Sequence, residues 1–302
     1  MNPRGRLRTL LCCGAMMSKR ARKPNVAIVG TGSLGSALTI SLHGAGYRVL
    51  EIVTRAARSS RRRAQLLAKS VGARVVTLGK DPIQSEVLWI LVPDREIRRC
   101  AETISRTGHC KGKIAFHSSG ALSSRELRSL QMRGAAVGAV HPMMTFVAGM
   151  VPNLAGVPFA LEGDAAAVRA ARRIVNAVGG EAFEIDAKHK AAYHAWGAFA
   201  SPLLLSLWVT AEQAAEVAGI PRTTARRRML PIIRQTLENY AGRGPKHAFS
   251  GPIIRGDAAT LERNLRALRK LPEARNVYLA LARSAVSNLP AKNRTKLRRT
   301  LR

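Results

Sequence analysis

An α/β domain on a mostly parallel, doubly wound sheet, followed by an all-α domain, is the fold class this sequence predicts. Three observations predict it. Between residues 25 and 186, short apolar runs alternate with amphipathic stretches, the pattern of parallel strands with helices on both faces. The first run ends in a glycine-rich turn that opens a helix. After Asp186 the strand pattern stops, and Ala/Leu-rich segments fill the remainder at helical spacing.

The elements follow in order. Val26-Ala27-Ile28-Val29 is the first strand, and Ser36 to His43 reads as helix, closed by Gly44-Ala45-Gly46. Tyr47–Val53 reads as the second strand. Further strands are expected at Arg74–Leu78, Val87–Val92, Lys113–His117 and Ala136–His141, with helices at Ser59–Val71, Arg95–Ser105 and Ser123–Met132. Val157–Leu161, Asp164–Val178 and Ala182–Ile185 form one more strand–helix–strand unit. The all-α part is expected as four long segments, Ala187–Ala218, Thr223–Ala241, Ala258–Leu268 and Glu273–Asn288, ending in a basic, frayed stretch, Lys292–Arg302. Three parts result: a basic flexible tail over 1–23, a nucleotide-binding domain over 24–186 and a helical domain over 187–302.

Composition narrows the function. The 302 residues carry 50 Lys+Arg against 18 Asp+Glu, a formal net charge of +32, yet 46% are hydrophobic. That apolar share is normal for a globular chain. No apolar run approaches the ~20 residues of a membrane span. Four cysteines, two of them adjacent at Cys12 and Cys13, make neither a disulfide framework nor a metal site, so a reducing, cytoplasmic setting is expected. The tail, with an apolar patch from Leu10 to Met17, imitates a secretory signal weakly; Met16 or Met17 could equally be the start. Nucleic acid is not the expected partner. No helix-turn-helix, zinc or RNA-binding signature is present, and aromatics are only 4%, leaving little for base stacking.

The turn Gly30-Thr31-Gly32-Ser33-Leu34-Gly35 follows a strand and opens a helix, with a second strand about twenty residues on. That context makes it a Rossmann fingerprint: a tight turn, a close backbone approach to pyrophosphate, and tight helix–sheet packing. The helix start offers free N–H groups to the anion. An NAD site usually has an acid at the tip of the second strand. Here the tip reads Thr54-Arg55, then Arg58, while Glu51 lies inside the strand. A guanidinium without an acid suits a 2′-phosphate, so NADP(H) is expected over NAD(H). Arg61, Arg62 and Arg63 read as a solvated helix face. Val92 and Pro93, Ser118 and Ser119, and His141 end later strands, where the cofactor crevice lies; Asp94 reads as a helix cap.

At this point the chain resembles the Rossmann-like proteins that carry a DUF2520 C-terminal domain. They sit in the wider 6-phosphogluconate-dehydrogenase-like group with pyrroline-5-carboxylate reductase and ketopantoate reductase. GTGSLG at 30–35, GAVHPMMTF at 138–146, DAKHKAAYHAWGAFAS at 186–201 and SGPIIRGDAATLERNL at 250–265 carry the resemblance, which covers about 25–290. It implies NADP(H), a homodimer formed through the helices, and no particular substrate. One departure stands out: related enzymes often hold substrate with an Asn on the interdomain helix, where this chain has Ser201-Pro202.

Hydride transfer to C=O or C=N needs an acid at the acceptor atom and donors that fix the substrate. If 186–201 is helical, Lys190, His194, Gly197 and Ser201 share one face. Lys190 and His194 are candidate acids, Gly197 gives room, and His141 and Ser119 face the crevice. Arg255 could hold a substrate carboxylate, and Asp257 caps the next helix. Trp196 and Trp208 read as core. The expected activity is an NADP(H)-dependent oxidoreductase acting on a small, carboxylate-bearing carbonyl or imine compound bound between the two domains. The alternative is a non-catalytic NADP(H) sensor or scaffold.

Overall fold

The computed structural model describes residues 22–302. The expectations for the tail therefore lie outside the described residues, except at its end. There Arg22 pairs with Glu86, and Lys23 donates to the Ala45 carbonyl while lying over the Tyr47 ring. The chain forms two compact units, one running to His194 and one from Ala195 to Arg302.

The first unit holds β1 (Val26–Val29), α1 (Ser33–Gly44), β2 (Val49–Thr54), α2 (Arg58–Val71), β3 (Arg74–Thr77), β4 (Val87–Ile90), α3 (Asp94–Thr107) and β5 (Ile114–His117). A 3-10 turn, Ser124–Leu127, leads into the short α4 (Arg128–Gln131) where one helix was expected. Then come β6 (Ala136–Pro142), β7 (Pro158–Gly163), α5 (Ala165–Ala177) and β8 (Glu181–Glu184). The sheet order is β3-β2-β1-β4-β5-β6-β7-β8. Every pair is parallel except β6 with β7. β1 and β4 are buried at all four positions, as central strands covered on both faces must be. Ile28, Trp89 and Phe116 pack on one face with Leu38, Ala64 and Ile174. Ala27, Leu88 and Ile90 pack on the other with Ile97, Ile104 and Leu127.

At the amino end of the strands a buried acid ties the sheet down. Glu51 accepts from the backbone N–H of Gln84 and Ser85 and from the Ser85 hydroxyl, at 2.9, 3.0 and 2.6 Å, and pairs with Arg74. Burial alone would raise its pKa, but these donors hold the carboxyl below its ordinary value. Lys113 adds bonds to the carbonyls of Ile83 and Ser85 at 2.6 and 2.8 Å.

α6 (Lys190–Ala200) begins in the first unit and runs into the second. The second unit continues with α7 (Pro202–Val217), α8 (Arg222–Ala248), α9 (Pro252–Arg255), α10 (Ala258–Ala267), α11 (Pro272–Asn288) and α12 (Arg294–Thr300). Three expectations need correction here. Ala187–Ala218 is not one helix: it breaks at Ser201, whose φ of −134° and ψ of −80° are non-helical, and Pro202 starts α7. Ser201 therefore leaves the helical face shared by Lys190, His194 and Gly197. The end of the chain is folded, not frayed: Leu297 and Leu301 are buried against α10 and α11, and Arg283 donates to the carbonyls of Leu301 and Arg302. Trp196 is not core but 58% exposed. α8 is broken at Gly244, with φ 71°, just before Pro245. No single helix among the described residues is long and apolar enough to cross a membrane.

Candidate active site

The carboxyl ends of β1, β2 and β4 open into a cleft of about 680 Å³. Its walls include Gly30, Thr31, Gly32, Thr54, Arg55, Val92 and Pro93, all expected there. Gly30 has φ +107°, and a Cβ on it would lie 2.4 Å from the Leu91 carbonyl oxygen. A Cβ on Gly35 would lie 2.2 Å from the Gly30 carbonyl oxygen. The turn thus folds so tightly that only glycine serves at both places, which is what a backbone cradle for pyrophosphate requires. Ser33, Leu34 and Gly35 form the first turn of α1, which has no side-chain cap and no acid. Its N–H groups remain available to an anion. Glu51, fully buried in its own network, does not reach the cleft.

Two differences from expectation appear at the cleft. Arg58 starts α2 but is not a wall residue, whereas Arg63, read as a solvated face, is one. The reason is helical phase: Ser60 lines the cleft, and Arg63 lies three residues on, on the same side. α3 adds Arg95, Arg99 and Thr103 at spacings of four.

A second group gathers at the carboxyl ends of β5 and β6. The Lys190 side chain is buried at 1% exposure, and its ammonium donates to the Ser119 carbonyl at 3.1 Å. Burial pulls this amine below its ordinary pKa, opposed by the charges of Glu162 and Asp94. His141 Nδ1 lies 2.8 Å from the Tyr193 hydroxyl. Burial, then the neighbouring Lys190 charge, pushes His141 down to about 4, so the ring is neutral at pH 7. Burial pushes the Tyr193 phenol up to about 12, so it keeps its proton. His194 faces His141, ring centroids 6.4 Å apart. Between them stands Gly120: a Cβ there would lie 2.8 Å from both His141 Nε2 and His194 Cδ2.

Asp94 does not cap α3. It accepts the Ser119 hydroxyl at 2.7 Å, and that oxygen accepts backbone N–H groups of Ala121 and Leu122 at 3.2 and 3.0 Å. Asp94 therefore fixes the loop whose carbonyl receives Lys190. His117 braces the same loop, bonding the Ser123 carbonyl through Nε2 and accepting from Ser119 N–H through Nδ1. Ser118 is taken by the Trp89 indole at 2.9 Å. Glu162 accepts the Ser124 N–H and hydroxyl at 2.8 and 2.7 Å.

Lys190, His194, His141 and Ser119 are thus brought together in one unit. Gly197, Ser201 and Arg255 belong to the other, where Arg255 is exposed and Asp257 caps α10 by accepting from Thr260 N–H at 3.0 Å. Tyr193 and Glu162 escaped sequence reasoning, and Asp94 was legible there only as a helix cap. For Tyr193 a signal existed, since it directly precedes His194 in the segment already singled out. Among the described residues no group of His, Cys, Asp and Glu could hold a metal ion.

Residues 14–142 match the Rossmann-like domain, and residues 157–285 match the domain of unknown function DUF2520. No curated protein matches. Among solved structures, a Bacteroides fragilis protein provisionally named an NADP oxidoreductase is similar, with TM-score 0.71 and 20% identity over 87% of this chain and 97% of that one. Protein TM1727 of Thermotoga maritima gives 0.67 and 22% over 91% and 98%. An imine reductase of Myxococcus stipitatus in complex with NADP+ gives 0.63 and 18% over 92% and 100%. These likenesses establish a shared fold, and the two domain matches establish the order: the chain carries a Rossmann-like domain followed by a DUF2520 domain.

Proposed function

We propose that this protein is an NADP(H)-dependent oxidoreductase that moves a hydride to or from a small carbonyl or imine compound. The observation that carries the reading is the pairing, within one unit, of a glycine-walled basic cleft with the buried Lys190 and the hydrogen-bonded His141 and Tyr193 at the neighbouring strand ends. The names of the structural neighbours support it. The cofactor, when bound, supplies the hydride. The chain's own residues do the rest. The glycine turn and the start of α1 receive pyrophosphate. Lys190, buried and short of solvent, holds a proton for the acceptor atom or polarises its bond. His141 is neutral, and with Tyr193 it forms a hydrogen-bonding pair that can fix a polar substrate atom without adding charge. Asp94 and Ser119 position Lys190. Gly120 keeps the space between the two histidines open.

On the same reading, His194 is a second proton donor, Arg255 fixes a substrate carboxylate, and the protein is a cytoplasmic homodimer joined through its helices. NADPH binding, followed by NADPH consumption with imines, 2-keto acids and aldehydes, tests the core of it. Binding without turnover in any class, unchanged by Lys190→Ala, would establish a sensor instead. Binding of neither dinucleotide would end both readings.

A further inference from the structure

We infer that His141 presents a fixed Nε2–H donor to the substrate, with Tyr193 as the group that fixes it, and that the site therefore takes a carbonyl oxygen and turns away an iminium nitrogen. This substrate class rests on the oxidoreductase reading above. The two ring nitrogens of His141 have different surroundings. Nδ1 lies 2.8 Å from the Tyr193 hydroxyl, with the two rings edge-on at 89°. Nε2 has no hydrogen-bond partner among the described residues. It faces the gap beside Gly120, where a Cβ would lie 2.8 Å from it. Gly120 has no positive φ, so open space and not backbone conformation calls for glycine there. His141 is half-buried and His194 exposed, which leaves the Nε2 edge within reach of a small molecule.

The Tyr193 bond decides where the ring proton sits. A neutral imidazole has one N–H and one lone-pair nitrogen. The phenol is the better donor of the pair, and the bare ring nitrogen is far the stronger base. The bond therefore runs from Tyr193 O–H to Nδ1, and the ring proton is left on Nε2. Burial holds both groups in these states: Tyr193 keeps its proton and His141 takes no second one. Charge acts in the same direction. Around the ring, Lys190 is the strongest charge against a further proton, His194 and His117 add to it, and Asp94 opposes it. The Asp94 carboxylate is engaged by Ser119, and that of Glu162 by Ser124.

A carbonyl suits this arrangement. As its carbon takes the hydride from the reduced dinucleotide, the C=O π pair moves onto oxygen. There the Nε2–H and the Lys190 charge stabilise the growing negative charge. A proton from the Lys190 ammonium completes the alcohol, and His141 keeps its own. An imine is reduced as its iminium, whose nitrogen already carries a proton and a positive charge. That nitrogen calls for an acceptor and meets an N–H donor beside an ammonium.

Two measurements on the full chain test this. Two-bond proton–nitrogen correlation of the seven histidine rings, with His141→Gln assigning the signal, reads the tautomer. The proton is expected on Nε2; finding it on Nδ1 would overturn the proposal whether or not the protein turns over. NADPH oxidation with 2-methylcyclopentanone and 2-methyl-1-pyrroline, a pair matched in shape, reads the preference, and the same ratio is read across 2-keto acids, aldehydes and other cyclic imines. The ketone should be favoured in kcat/KM by about tenfold or more. His141→Ala should cut ketone turnover by about a hundredfold and leave pyrroline turnover unchanged. His141→Gln, which keeps an N–H donor, should lose less, and His141→Glu should move the preference toward the pyrroline, with thermal melting to confirm that each variant folds. Faster imine than carbonyl reduction by the native chain, or equal losses on both in His141→Ala, would sink the proposal. So would NADPH binding with neither class reduced. Binding of neither dinucleotide would instead remove the oxidoreductase reading, whatever tautomer His141 shows.

Discussion

In the first unit the largest apolar side chains, Trp89, Phe116 and Phe159, are fully buried between sheet and helices. In the second, Phe199 is 70% exposed and Ile232 68%, with Leu205 and Leu237 in the same condition along α6, α7 and α8. Only α10, α11 and α12 close a core of their own there. The buried residues of α7 and α8 are just Glu212 and Ala225. The contrast teaches that one unit is complete as a folded, chemically equipped body. The other presents a long apolar surface of the kind that oligomers cover.

The sharpest way to break the contrast is to damage the complete unit at its tightest point. Gly35→Ala should cost about 3 kcal/mol or more, because the new Cβ cannot coexist with the Gly30 carbonyl. Denaturant unfolding and NADPH titration should show the first unit weakened and cofactor binding lost. Leu297→Ala attacks the small core of the other unit. Chemical denaturation should register a loss of about 3 kcal/mol, while NADPH affinity stays as it was. Lys190→Met separates chemistry from stability: turnover should fall by about a hundredfold or more, without a lower melting temperature, since a buried ammonium gives way to an apolar chain of similar size. A clear drop in melting temperature would show that Lys190 is structural.

The apolar surface can be tested by charge. Phe199→Glu with Leu205→Glu should cost about 2 kcal/mol of association and move the chain from dimer to monomer in light scattering. If the native chain is already monomeric, the dimer proposal fails. The smallest effect is in the pH dependence. The folded His141 titrates near 4 and the unfolded imidazole near its ordinary 6.5. Between those values the unfolded chain binds more protons, so stability falls as pH falls through that window and not above it. His141→Gln should remove about 1.5 kcal/mol of the difference between pH 7 and pH 5, allowing for residual solvent access. Urea titrations at the two pH values measure it; His117, also depressed by burial, contributes with the same sign and persists in the variant.

Strand positions were legible because parallel central strands are apolar on both faces, and every expected strand from β1 to β8 is present within a few residues. The glycine turn was legible because its backbone geometry admits no side chain. The break at Ser201 was harder, since Ala/Leu-rich sequence runs unchanged through it despite Pro202. The folded end of the chain was masked by its charge: among five basic residues in 294–302, two leucines do the packing. At the site, Lys190 and His141 could be nominated from local pattern. The Asp94–Ser119–Lys190 arrangement could not, because it joins loops from β4 and β5 to α6, distant in sequence. Arg63 was hidden because three adjacent arginines look alike until the phase of α2 selects one.

The Glu51 and Lys113 bonds to residues 83–85 have a consequence for motion. They clamp the chain just as it enters β4, at the end of the sheet away from the cleft. Breathing that admits a ligand is then confined to the loops at the other end. In deuterated solvent, the amides of Gln84 and Ser85 should exchange only when the whole unit opens, whereas those of Thr31 and Gly32 exchange early. A gradient of exchange running along the strands would thus be the kinetic signature of one buried carboxylate.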